Sequence, residues 1–76
     1  MNNPRRKKVR QIREELDGLR SRLEELVQEE QGAYDAMPEG LQSSEKGEKA
    51  AEAVSALEDA LSNVETAVDD LERAVE

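Results

Sequence analysis

The 76-residue chain carries 39% charged residues, a formal net charge of −8 and a single aromatic residue, Tyr34. The scarcity of aromatic side chains argues against a core of several layers, and the lack of His and Cys excludes the common zinc sites, His-based triads and disulfides. No apolar run is long enough to span a membrane, and the basic start lacks the apolar stretch of a signal peptide. We therefore expect one small cytoplasmic domain, all-α, without cofactor or catalysis.

The chain begins with a basic segment. Residues 1–3 are expected to form a tail and residues 4–36 the first helix, with Asn3 as N-cap and Pro4 in the first position. Residues 5–13, the basic arm, carry six basic and no acidic side chains. The arm can pair with the acidic end of a second helix, or it can contact nucleic-acid phosphates without reading sequence. The candidate nucleic-acid contacts are Arg5, Arg6, Lys7, Lys8 and Arg10.

Apolar residues recur in the first helix at alternating spacings of three and four, which is typical of a coiled coil. Heptad position a holds Val9, Leu16 and Leu23, and position d holds Ile12, Leu19 and Leu26. Glu30 interrupts position a, either because the seam frays near the turn or because a polar residue fixes the register.

A turn is expected over residues 37–43, where Pro38 and Gly40 stop the first helix. An acidic second helix over residues 44–76, capped by Ser43 or Ser44, repeats the same apolar spacing. Folding the chain back on itself brings the two stripes together, which predicts an antiparallel two-helix coiled-coil hairpin. The predicted seam consists of Leu16, Leu19, Leu23, Leu26, Val54, Leu57, Leu61 and Val64.

Charged residues beside the seam support the antiparallel arrangement. Position e of the first helix carries two arginines that would oppose glutamates of the second helix. Arg13 is expected to meet Glu65 or Glu72. Arg20 is expected to meet Glu58 or Glu65.

One flank of the second helix is alanine in every repeat. Alanine is the best helix former, but this column also widens the apolar face beyond what one partner helix can cover. We therefore expect a homo-oligomer in which two hairpins form a four-helix bundle. The predicted oligomer face consists of Ala53, Ala60, Ala67 and Ala74.

The turn carries apolar residues outside the heptad pattern. Tyr34, Met37 and Leu41 either close the open end of the seam as a hydrophobic plug or form a tip that docks another protein.

The segment from Glu29 to Glu45, with Ala33-Tyr34-Asp35 and Met37-Pro38-Glu39, resembles short hypothetical helical proteins carried by phages and mobile elements of Gram-positive bacteria. The resemblance implies a bacterial host cytoplasm as the setting and implies no catalytic residues. We expect a non-catalytic protein-protein interaction module that modulates a host or phage complex. The alternatives are a nucleic-acid-binding accessory factor that uses the basic arm, and an acidic DNA mimic that inhibits a host defence nuclease.

Overall fold

The computed structural model describes all 76 residues and contains three helices, α1 (Asn3–Asp35), α2 (Glu39–Gln42) and α3 (Glu45–Ala74). Helices α1 and α3 pack against each other in a rod of 58 × 14 × 13 Å. They run antiparallel, since Arg13 near the start of α1 forms an ion pair with Glu72 near the end of α3. The all-helical prediction is confirmed, and the connection between the two long helices includes the single turn of α2.

The N-terminus of α1 is capped by Asn2 rather than by Asn3. The side-chain oxygen of Asn2 accepts a hydrogen bond of 2.9 Å from the backbone N–H of Arg5. Pro4 lies in the first turn, where a helix has no use for the N–H that proline lacks. Helix α1 therefore starts one residue before the predicted position.

Ser44 is the cap of α3. Its hydroxyl accepts a hydrogen bond of 3.3 Å from the backbone N–H of Gly47. Gly47 is buried, and a Cβ on it would overlap the backbone carbonyl oxygens of Leu41 and Gln42. We call residues 39–47 the elbow, because α2 approaches the first turn of α3 there at a distance that glycine permits.

The core of the rod is thin. Val54 and Val68 are its buried hydrophobic residues, each 6% exposed, and no side chain is fully buried. Both valines occupy position a of α3. The position-a residues of α1, Val9, Leu16 and Leu23, are half-buried.

Helix α1 is rotated about its axis relative to the predicted seam. Leu19 and Leu26, predicted to lie within the seam, are each 50% exposed, and Ile12 is 49% exposed. Residues at position e of α1 are more buried than these position-d residues, and the half-buried ones include Arg13, Arg20 and Val27. An α-helix with 3.6 residues per turn drifts away from a strict seven-residue stripe, and the methylene stems of arginine can cover apolar surface as leucine does. The interface of α1 therefore follows positions a and e.

The other predicted seam residues do lie between the helices. Val54 is buried, and the remaining five are half-buried. These five are Leu16, Leu23, Leu57, Leu61 and Val64.

Candidate functional site

A row of aliphatic side chains on α1 is exposed to solvent. Ile12, Leu19 and Leu26 are seven residues apart and therefore lie along one side of the helix at intervals of about 10.5 Å. We call these three residues the exposed stripe; each keeps about half of its surface accessible. Exposed apolar patches of more than a few hundred Å² are typical of interaction sites.

The alanine column of α3 borders the exposed stripe. In an antiparallel pair of helices, the flanks with the same heptad letters lie on the same side. Ala60 and Ala67 are half-buried, whereas Ala53 and Ala74 are exposed. The exposed stripe and this alanine column together form one broad surface, which we call the apolar face.

The opposite flank of the rod is closed by charged side chains. The ion pair between Arg13 and Glu72 is one of the two contacts predicted for Arg13. Arg20 differs from the prediction, because its guanidinium bonds within α1, to Asp17 at 2.9 Å and to Glu24 at 2.9 Å. Residues three and four apart on a helix are close neighbours, so both partners satisfy the guanidinium at once. The hydrogen bond that the Arg20 guanidinium donates to the Asp17 carboxylate raises the pKa of Arg20 above its ordinary value.

Most of the basic arm stays free of acidic partners. Arg5, Lys7, Lys8 and Arg10 are exposed and form no ion pair. The half-buried Arg6 donates a hydrogen bond of 3.2 Å to the side chain of the neighbouring Asn3. One of the two expectations for the arm is pairing with the acidic end of α3. Within the arm, Arg13 alone forms such an ion pair, with Glu72.

The tip of the rod carries the three apolar residues from the turn. Tyr34 and Met37 are half-buried, whereas Leu41 is exposed. The backbone carbonyl of Tyr34 accepts a hydrogen bond of 3.0 Å from the side chain of Gln42 in α2. Glu30, the break in the heptad pattern, is exposed. The tip thus covers two of its three apolar residues and ties the end of α1 to the elbow.

The grooves along the rod are lined mainly by charged and polar side chains. No group of three or more His, Cys, Asp or Glu residues is placed to hold a metal ion. None of the helices combines the length and the hydropathy that a membrane span requires.

Two features of the structure went unpredicted, and each has a signal in the sequence. The exposed stripe follows from the rotation of α1, which the apolar Val27 at position e and the long stems of Arg13 and Arg20 favour. Gly47 lies one heptad before Val54, and a glycine at position a leaves room for the close approach of backbone.

Comparison of the chain with protein-family models, with curated proteins and with solved structures gives no match.

Proposed function

We propose that this chain is a non-catalytic protein-protein interaction module and that the apolar face is its binding surface. The observation that carries the proposal is the half-exposure of Ile12, Leu19 and Leu26 in one row. Full burial of such a side chain contributes about 1.5–3 kcal/mol, so covering the exposed half of each contributes about 1 kcal/mol. A partner that covers the row gains about 3 kcal/mol from these three residues.

The distribution of charged side chains also favours binding at the apolar face over binding at the opposite flank. On the other flank, Arg13 and Arg20 are held in ion pairs, and a partner there would have to desolvate these charges. The alanines beside the stripe are small, so another helix can approach closely. The apolar face is therefore the side of the rod on which binding costs least.

The proposal is tested with an immobilised chain that captures polypeptides from a lysate of the source organism. In one variant, Leu19→Gln and Leu26→Gln replace stripe residues. In the matched control, Gln11→Asn and Gln28→Asn change exposed residues off the stripe. Circular dichroism checks that both variants remain helical. We expect the stripe variant to lose the captured polypeptides, further copies of the chain included, and the control to keep them. Equal capture by both variants contradicts the proposal.

The basic arm supports a second candidate function, the binding of nucleic acid. Arg5, Lys7, Lys8 and Arg10 are exposed without acidic partners, and Arg5 lies in the first turn of α1, where the helix dipole favours phosphate. Phosphate contacts of this kind weaken steeply as salt rises.

A salt titration with random duplex DNA tests this second function. Lys7→Gln with Lys8→Gln removes two charges from the arm, and Lys46→Gln with Lys49→Gln removes two charges from the other end of the rod. We expect the arm variant to reduce the slope of log K against log salt by about 2 and the control to leave it unchanged. Absence of binding at 50 mM salt removes nucleic acid as a ligand of the arm.

A further inference from the structure

The rod exposes more surface than a compact protein of its mass. Its accessible surface is 5662 Å², whereas a folded monomer of 8.5 kDa is expected to expose about 4,650 Å². The excess is about 1,000 Å² per chain. Two chains that covered this excess against each other would bury about 2,000 Å² in total. This area is at the upper end of the range for standard interfaces and at the lower end of the range for obligate homodimers.

The exposed stripe is symmetric about its middle residue. If two copies of α1 cross in opposite directions at Leu19, then Leu19 faces Leu19 of the second copy, and Ile12 faces Leu26. All three stripe residues are paired by one twofold axis perpendicular to the rod. A closed twofold arrangement of this kind is the commonest form of homodimer.

The residues just outside the stripe match the same arrangement. Heptad position g of α1 holds residues whose charge alternates in sign along the helix. With Leu19 at the centre, Lys8 faces Glu29 of the second copy and Glu15 faces Arg22. All of these residues are exposed, and none forms an ion pair within the chain. Such flanking charges determine the orientation and the register of paired helices.

Other registers set like charges against each other. A shift of one heptad that pairs Ile12 with Leu19 brings Glu15 against Glu15 and Lys8 against Arg22. The opposite shift brings Arg22 against Arg22. Parallel helices, aligned residue for residue, bring every one of these charges against itself. Of these arrangements, only the antiparallel one centred on Leu19 pairs opposite charges at every position g.

The large-scale charge of α1 agrees with this choice. The basic arm carries six positive charges, and residues 24–35 carry five negative and no positive charges. Head-to-tail alignment places the arm of each copy beside the acidic segment of the other. The alanine columns of the two α3 helices then lie on the same side as the paired stripes, where their small side chains permit close approach.

We propose that the apolar face binds a second copy of this chain, head to tail, with α1 crossing α1 at Leu19 in an antiparallel four-helix bundle. This inference rests on the proposed function and names the partner. The flanking ion pairs Lys8–Glu29 and Glu15–Arg22 select the register.

Cross-linking tests the register directly, because the chain has no native cysteine. Three single-cysteine variants are treated with a thiol-reactive cross-linker that spans about one interhelical distance, 8–10 Å. We expect Leu19→Cys to form covalent dimers with itself. Ile12→Cys and Leu26→Cys are each expected to stay uncross-linked alone, since their symmetry mates lie about 21 Å apart. A mixture of these two variants is expected to cross-link. Dimers of Ile12→Cys alone overturn the head-to-tail arrangement.

Charge reversal tests the flanking pairs by sedimentation equilibrium. Lys8→Glu and Glu29→Lys are each expected to weaken dimerisation about tenfold, and the double variant is expected to return to within about threefold of the parent. Residues 8 and 29 are about 32 Å apart within one helix, which is too far for direct contact. If the effects of the two substitutions are coupled, the contact is therefore between residue 8 of one copy and residue 29 of the other. Lys7→Glu, with the same charge change off the flank, is the control and is expected to alter the dissociation constant less than threefold. Additive effects of the two reversals overturn the register.

The outcomes separate this inference from the function on which it rests. A chain that is monomeric at high micromolar concentration, yet captures a different polypeptide through the stripe, overturns the self-association and leaves the interaction module standing. A monomer without stripe-dependent capture overturns both. A dimer with the expected cross-links supports both.

Discussion

Replacement of Gly47 by alanine is the sharpest test of the elbow. A Cβ at this position would overlap the carbonyl oxygens of Leu41 and Gln42 and lie 2.5 Å from the carbonyl carbon of Gln42. These neighbours are backbone atoms, so they cannot rotate away as the end of a side chain can. Overpacking of this kind costs about 1–3 kcal/mol, and we place Gly47→Ala at the upper end, near 3 kcal/mol. The higher helix propensity of alanine offsets about 1 kcal/mol of that cost. The expected net loss of stability is about 2 kcal/mol.

Gly32→Ala is the matched control for this substitution. Gly32 also lies within a long helix, but no atom stands within 4 Å of the position that its Cβ would take. The same change should therefore stabilise the chain by about 1 kcal/mol through helix propensity alone. Gly18→Ala, which is equally open, is expected to behave in the same way.

Thermal unfolding followed by circular dichroism at 222 nm measures both effects. For a chain of this length, 1 kcal/mol corresponds to about 4–8 °C in Tm. We expect Gly47→Ala to lower Tm and Gly32→Ala to raise it, at one fixed chain concentration because association also shifts Tm. A rise in Tm for Gly47→Ala equal to that for Gly32→Ala would refute the close approach of α2 to α3.

Three further predictions concern single contacts. Ser44→Ala removes the cap of α3 and is expected to cost about 1 kcal/mol in urea unfolding, whereas Ser43→Ala should cost less, because Ser43 caps no long helix. A double-mutant cycle of Arg13→Gln and Glu72→Gln should give a coupling of about 0.5 kcal/mol that disappears in 1 M salt; a coupling that persists contradicts an exposed pair. Val68→Ala should cost about 2 kcal/mol by loss of two buried methyl groups, and a loss below 0.5 kcal/mol would contradict its place in the core.

Local features of the sequence are enough to predict the helices and their antiparallel direction. Its apolar residues recur with the period of a coiled coil, and Pro38 stops the first helix, because proline lacks the N–H that a helix needs. The arginine at position 13 and the glutamate at position 72 favour antiparallel pairing, and the structure contains that ion pair. These features depend on local geometry and on the spacing of residues along the chain, which a single sequence displays.

The rotation of α1, and with it the candidate site, depends on packing against α3. A heptad pattern does not decide whether a helix packs through positions a and d or through positions a and e. Arginine stems and leucine side chains can both cover apolar surface. Packing against α3 covers Arg20 and turns Leu19 outward. The elbow at Gly47 depends in the same way on carbonyl groups of α2 that meet the glycine only when the chain has folded. Composition and spacing therefore determine which elements form, whereas contact between them determines which side chains remain available to a partner.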